Sequence, residues 1–250
     1  CPHISTCWSD LPADPIQWLP YISRQKKKFD QYQEEGITAI SQLDPNDKRV
    51  TKSQKPIVEA FKSDGPVINL IQIQEFLNSV DKTQPISFID FETFSSAIPL
   101  DGSKPFQDHA IQFSSAVMNV NGAITRKDYI STQLVDVSQE FAEQLLDSVA
   151  DDGAILVWYA PFEKKIIKGL AANVPTLSGD LLALNDRIVD LMSPFSKGGY
   201  VDRAFEGSFS LKKVLPVLAP DLSYSDLSVT NGSQIGSQWL EMVQTEDVQR

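Results

Sequence analysis

Residues 86–92 read ISFIDFE, a short and mostly apolar run that is rich in β-forming residues. Such a run predicts a buried strand near the middle of a sheet. Side chains at positions i and i+2 of a strand point to the same face. Asp90 and Glu92 are therefore expected to project together, while Ile89 and Phe91 enter the opposite layer.

The segments that follow this strand extend the sheet. Two strand-like runs, 111–120 and 123–132, flank Asn121–Gly122, which is a strong hairpin signal. AILVWYA at 154–160 is a second continuous apolar run, and PFEKKIIKGLAA at 161–172 begins a helix with Pro at its first position. Strands and helices in this order predict an α/β fold with a mixed sheet flanked by helices.

Burial predicts the order of the strands. Because 86–91 and 154–159 are apolar on both faces, both are expected inside the sheet. The strand at 86–91 should be central, with the hairpin 111–132 antiparallel on one side and 154–159 parallel on the other.

The hydropathy pattern of the sequence changes near residue 84. Residues 1–84 are polar and are predicted to form a small, mostly helical segment, joined by a linker at 81–85 to a domain at 85–250. Helices in the first segment are predicted over 15–33, 52–62 and 71–80.

Composition excludes several classes of protein. The chain has 250 residues, of which 42% are apolar and 22% charged, which excludes a disordered, collagenous or coiled-coil protein. No apolar run of the sequence is long enough for a transmembrane helix, so no membrane partner is expected. With a net charge of −11, nucleic-acid contacts must be local or bridged by metal ions. Two cysteines, Cys1 and Cys7, suit a reducing cytosol and predict a cytoplasmic location.

Two short segments carry candidate chemistry. Asp90 and Glu92 repel each other on one strand face, and a hard divalent cation with oxygen ligands would relieve that repulsion. Glu163 falls in the first turn of a helix that follows a buried strand. The alternatives are structural: one strand carboxylate caps a helix while the other is solvated, and Glu163 interacts with the helix dipole.

These segments carry a resemblance. An acid–x–acid–Thr on a first strand, followed by a strand, a turn and an acid that opens a helix, resembles the first two motifs of DEDD-type 3′–5′ exonucleases, which have a ribonuclease H-like fold. A closer resemblance, from about Ile86 to Gly232, is to domain-of-unknown-function family 2779, a bacterial family. It rests on FIDFETFSSAIPLDGSKPFQ at 88–107, VWYAPFEKKIIKGLA at 157–171, RIVDLMSPF at 187–195 and GSFSLKKVLPVLAPDLSYSDL at 207–227.

The resemblance implies a set of metal ligands. Asp90 and Glu92 would be ligands from the first motif, and Glu163 would be a third, although most DEDD enzymes have Asp there. Asp190 is a further candidate. The resemblance implies two Mg²⁺ or Mn²⁺ ions in the intact enzyme, with Asp90 bridging both. This chain should hold one ion or none, because no Tyr-x-x-x-Asp motif occurs after Leu227; we expect the domain to be truncated before it.

The N-terminal residues resemble part of another site. Cys-Pro-His-Ile-x-x-Cys-Trp is similar to the end of a cysteine cluster that follows a RecB-like nuclease domain in such proteins. The resemblance therefore implies an upstream RecB-like nuclease domain and an iron–sulfur cluster in the full-length protein only. Two cysteines cannot fill four cluster positions, so Cys1 and Cys7 are expected as free thiols or in an adventitious disulfide.

Five residues are candidate contacts for nucleic acid. Thr93 and Phe94 follow the strand acids. Ser208, Ser210 and Lys212 open a helix, and a helix N-terminus can bind a phosphate. The alternative for the two serines is ordinary capping of the helix.

The leading hypothesis from the sequence is a metal-dependent phosphodiesterase, a 3′–5′ exonuclease domain that acts on single-stranded DNA or RNA. Asp90, Glu92 and Glu163 would be its catalytic residues and metal ligands. The alternative is a non-catalytic nucleic-acid-binding or scaffolding module on the same fold, because a fold alone does not fix a function.

Overall fold

The computed structural model describes residues 3–98, 104–133, 136–222 and 232–245. In the described part, the chain folds into two compact units. The first unit contains residues from 3–77 and 192–222, and the second contains residues from 78–191 and 232–245. The helices are α1 (Ile4–Cys7), α2 (Lys26–Glu34), α3 (Lys55–Lys62), α4 (Leu70–Asn78), α5 (Ser138–Leu146), α6 (Ala160–Asn173), α7 (Ser178–Arg187), α8 (Ser193–Ser196), α9 (Leu211–Leu218) and α10 (Gly232–Gln244). The strands are β1 (Val67–Ile68), β2 (Ile86–Phe94), β3 (His109–Met118), β4 (Ile124–Ile130), β5 (Ile155–Val157), β6 (Ile188–Asp190) and β7 (Tyr200–Val201).

The second unit is built on a five-stranded mixed sheet. The strand order is β4-β3-β2-β5-β6, in which β3 is antiparallel to both of its neighbours and β5 is parallel to β2 and β6. The predicted α/β fold with helices flanking a mixed sheet is therefore confirmed. The predicted strand order is confirmed as well, with 86–91 central, the hairpin on one side and β5 on the other.

Each face of this sheet has its own packing. Ile89 and Phe91 of β2 enter the main core, where they meet apolar side chains of α5, α6 and α7. Ile86 and Phe88 lie on the opposite face, in a smaller cluster with Val80 of the same unit. This alternation along β2 follows from the two-residue period of a strand, and it leaves Asp90 and Glu92 on the face away from α5, α6 and α7.

The first unit combines the N-terminal segment with a later part of the chain. β1 pairs antiparallel with β7, and Val201 is buried in the core formed around Ile16, Tyr32 and Ile57. The sequence placed residues 192–222 in the domain that follows residue 84, whereas in the structure they fold with residues 3–77. This pairing joins positions more than a hundred residues apart, which local sequence patterns do not reveal.

One helix prediction in this unit needs correction. The helix predicted over 15–33 forms only from Lys26, and Ile16–Trp18 and Ile22–Arg24 are separate 3₁₀ turns. Pro20 lacks the N–H that a continuous helix needs, and Tyr21 has a left-handed backbone with φ of 61°. The helices predicted over 52–62 and 71–80 are confirmed as α3 and α4, within three residues at each end.

Two further predictions concern the cysteines and the membrane. Cys7 is an exposed free thiol, and Cys1 lies outside the described residues. Across the described ranges, no helix has the length and apolar character needed to cross a membrane.

Gly153, just before β5, gives a prediction about stability. It has φ of +84°, and a Cβ atom at this position would lie 1.9 Å from the carbonyl oxygen of Pro85. Gly122, in the β3–β4 turn, has a similar φ of +82° but nothing within 4 Å of a Cβ. We expect Gly153→Ala to lower the free energy of unfolding by about 3 kcal/mol and the matched Gly122→Ala by only about 1 kcal/mol. Urea unfolding measures both, and equal losses would contradict the close approach of Pro85.

Candidate functional site

Asp90 and Glu92 lie on β2 near the carboxyl end of the strand. Asp90 is solvent-accessible and Glu92 is half-buried. A bulge between Glu92 and Thr93 interrupts the pairing with β3 immediately after the second acid. The structure thus places the two acids side by side on one face of the central strand, as the sequence predicted.

Glu163 reaches the same strand from a different element. β5 ends at Val157, and α6 begins three residues later, at Ala160, after Tyr159 with a left-handed φ of 75°. β2 continues past the end of β5, and there the backbone N–H of Phe91 donates a hydrogen bond to the Glu163 carboxylate. Glu163 therefore takes the place that a longer β5 would occupy beside β2.

The Glu163 carboxylate is buried and only partly satisfied. Its side chain is 2% exposed. Within the described ranges, no hydrogen bond reaches its second oxygen, Oε2, which is buried. A buried carboxylate oxygen without a partner is costly and is uncommon in folded proteins, so this atom calls for an explanation.

The acids influence one another electrostatically. Burial, together with the neighbouring charge of Asp90, raises the pKa of Glu163 to about 8; the Phe91 N–H opposes this shift, and Glu92 adds to it. Burial also raises the pKa of Asp90, because protein atoms surround this carboxyl although water still reaches it. Asp90, Glu92 and Glu163 are therefore close enough to act as one group, which we call the acid site.

Asp190 has a positioning role in the structure. It ends β6, and its Oδ1 accepts a hydrogen bond of 3.1 Å from the backbone N–H of Tyr159. This contact fixes the turn that leads into α6. Asp190 thus helps to orient Glu163, and it is not among the charges that shift the pKa of Glu163.

The acid site is not a preformed metal cage. Among the residues that the structure describes, no three His, Cys, Asp or Glu side chains are arranged to hold a metal ion. Acids near the C-terminal end of the sequence are the remaining candidates for a further ligand. Of these, Glu241, on α10, is exposed, and Asp247 lies outside the described residues. A fourth acidic ligand is therefore not found in the described part of the chain.

α10 packs beside the end of β2. Trp239 of α10 contacts the ring of Phe94 with centroids 5.2 Å apart, and its Nε1 donates a 2.6 Å hydrogen bond to the carbonyl oxygen of Ser131. Both aromatic residues line a cavity of about 390 Å³, together with the ion pair of Lys165 and Asp108. Phe94 therefore packs against a helix while still facing a cavity. The chain has only four Trp residues, and the presence of Trp239 is the sequence feature that could have indicated this contact.

The other predicted nucleic-acid contacts fall into both units. Thr93 is half-buried on β2, beside the acid site. Ser208, Ser210 and Lys212 belong to the first unit, and the hydroxyls of the two serines lie 3.4 Å apart. Ser210 is the N-cap residue of α9, but its side chain makes no capping hydrogen bond. The structure does not join these three residues and the acid site in one compact unit.

Comparison with known families adds one finding to this geometry. Residues 87–210 match the family model of a domain of unknown function, DUF2779. This match supports the family resemblance predicted from the sequence. The DUF2779 region contains Asp90, Glu92, Glu163 and Asp190, but neither Lys212 nor α10. No curated protein and no solved structure matches the chain, so the finer assignment to a ribonuclease H-like fold stays a prediction.

Proposed function

We propose that the protein is a metal-dependent phosphodiesterase that shortens single-stranded DNA or RNA from its 3′ end. The observation that carries this proposal is the buried Oε2 of Glu163, which has no hydrogen-bond partner among the described residues and lies in one electrostatic group with Asp90 and Glu92. A bound cation would satisfy this oxygen and would remove the repulsion among the acids.

The acid site fits Mg²⁺ or Mn²⁺ in its chemistry. Both ions prefer oxygen ligands, and Asp90 and Glu163 would hold the ion while Glu92 adds negative charge. When bound, such an ion activates water and stabilises the leaving oxygen of a phosphodiester. The chain's own groups do the positioning: Phe91 orients the Glu163 carboxylate through its N–H, and Asp190 fixes the turn before it.

The substrate would bind beside the end of β2. Thr93 follows the acids directly, and Phe94, the last residue of the same strand, lines a cavity together with Trp239. The three acids themselves are not among the residues that line this cavity. An aromatic wall suits a nucleobase, because bases stack on aromatic rings with little sequence preference. In the full-length protein, the upstream RecB-like nuclease domain would be a partner that shares this substrate.

One observation favours the alternative of a non-catalytic binding or scaffolding module. The described residues include no ready-made group of three metal-ligating side chains. In this alternative, Glu163 stays protonated near neutral pH and serves the packing of α6. The two functions differ in whether a strand is cut.

The test is a cleavage assay with Mn²⁺ and single strands labelled at the 5′ end or the 3′ end. We expect 5′-labelled strands to shorten stepwise and chelation of the metal to stop the reaction. Asp90→Asn should lower the rate at least about a hundredfold, because loss of an outer-shell partner alone costs tenfold to a hundredfold. Asp186→Asn, on an exposed part of α7, is the matched control and should keep the full rate. Uncut strands, or equal rates in Asp90→Asn and the control, would favour the non-catalytic module.

A further inference from the structure

The outer edge of β4 pairs with no other strand among the residues that the structure describes, and it carries a regular series of hydrogen-bonding groups. β4 is the outermost strand of the sheet, and all seven of its residues are described. The bonds from Asn119 N–H to Ala123 and from Ser131 N–H to Ile111 show that the odd-numbered residues of β4 bond to β3. The even-numbered residues therefore direct their backbone N–H and C=O groups outward, where another strand could pair with them.

The side chains of these even-numbered residues form a self-complementary pattern. In order along the strand they are Ile124, Arg126, Asp128 and Ile130, and all four are exposed on one face. An antiparallel second copy centred on Lys127 would place Ile124 opposite Ile130 and Arg126 opposite Asp128, in both directions. Cross-strand pairs of opposite charge and apolar pairs both stabilise a sheet.

Lys127 would meet its own copy at the centre of this pairing. Its Nζ forms an ion pair of 2.6 Å with Asp147, which follows α5. This contact draws the charge toward the helix-covered face and compensates it. The meeting of the two Lys127 residues at the centre therefore does not oppose the pairing of the strands.

The charges also select one register. If the second copy shifts by two residues in one direction, Arg126 lies opposite Arg126 of that copy. If it shifts by two residues in the other direction, Asp128 lies opposite Asp128. Like charges directly opposite each other destabilise a sheet, whereas the centred register has none on the open face. Neither Arg126 nor Asp128 forms an ion pair with another described residue, so both charges are available.

We propose that two copies of this chain associate through antiparallel pairing of their β4 edges, which gives a twofold dimer with one continuous sheet. The contact is isologous, because each copy uses the same residues. A strand of seven residues is only about 24 Å long, and interfaces below about 1,200 Å² belong to weak associations. We therefore expect a dimer that forms as the protein concentration rises through the micromolar range.

The test is sedimentation velocity over a range of concentrations with charge variants of β4. Arg126→Asp makes positions 126 and 128 both acidic, and Asp128→Arg makes both basic. Like charges then face each other across the interface, so the dimer of each variant alone should dissociate about tenfold more readily than the native dimer. An equimolar mixture of the two variants should regain the native association, because opposite charges again face each other. Lys168→Asp, which makes the same charge change at an exposed site on α6, should leave association unchanged.

The double variant Arg126→Asp/Asp128→Arg separates pairing from folding. It exchanges the two charges while keeping the net charge and the complementarity, so it should associate like the native chain. Circular dichroism checks that each variant is folded. A native chain that stays monomeric at every concentration would overturn the proposal. Single variants that associate like the native chain, or a mixture that fails to regain association, would also overturn it.

Discussion

Glu163→Gln is expected to remove most of the pH dependence of folding stability between pH 5 and pH 9 in metal-free buffer. The pKa of Glu163 rises from an ordinary value of 4.5 to about 8 in the folded protein. The folded state therefore holds its proton more tightly than the unfolded state does. The contribution of this proton to stability is complete below about pH 4.5 and is lost as the pH rises through about 8.

The expected loss is large. A shift of this size corresponds to an upper limit of roughly 4 to 5 kcal/mol at pH 9. Gln resembles the protonated acid in shape, and its Oε1 can still accept the Phe91 N–H. The variant should therefore be more stable than the native chain at pH 9 and close to it at pH 5.

Thermal unfolding in the presence of a chelator measures both proteins at the two pH values. Glu143→Gln is the matched control, because Glu143 lies on α5 with an exposed side chain. It should unfold like the native chain at each pH. If the native chain and Glu163→Gln lost stability in parallel between pH 5 and pH 9, another group would carry the dependence.

Mn²⁺ is expected to bind about fiftyfold more tightly at pH 8 than at pH 6. Metal ligands must be deprotonated, so a carboxyl with a pKa of about 8 releases its proton when the ion binds. The apparent affinity then rises about tenfold for each pH unit below that pKa. The ion should also restore the stability that the native chain loses at pH 9, since it binds the folded state.

Isothermal titration calorimetry at pH 6, 7 and 8 gives the affinity, and buffers of different ionisation enthalpy count the released proton. Glu163→Gln should bind Mn²⁺ weakly and with little dependence on pH, whereas Glu143→Gln should behave like the native chain. An affinity for the native chain that is the same at pH 6 and pH 8 would show that Glu163 does not bind the ion.

The sheet was predictable because its signals are local. Both 86–91 and 154–159 are continuous apolar runs, and Asn121–Gly122 marks the hairpin between its strands. The association of 192–222 with the first unit was not predictable, because it depends on β1 pairing with β7 far along the chain. The broken helix at 15–33 was within reach, since Pro20 already argues against a continuous helix.

The acid site was predictable in its members but not in its details. Strand alternation brings Asp90 and Glu92 together, and the carboxyl end of the neighbouring strand brings Glu163 near them. The hydrogen bond from Phe91 depends on β5 ending at Val157, and the sequence predicted an apolar run that continues to residue 160. The contact of Asp190 with Tyr159 joins separate strand ends, so no local pattern indicates it.

The shortness of β5 limits how this region can change in evolution. Glu163 reaches the Phe91 N–H because β5 has only three residues, the turn after it has two, and Glu163 falls in the first turn of α6. One extra residue in the helix before Glu163 would rotate its side chain by about 100° and carry it away from β2. Between Val157 and Glu163, residue types can therefore vary more freely than chain length. In the turn between β3 and β4, where Gly122 has open space around it, insertions should accumulate instead.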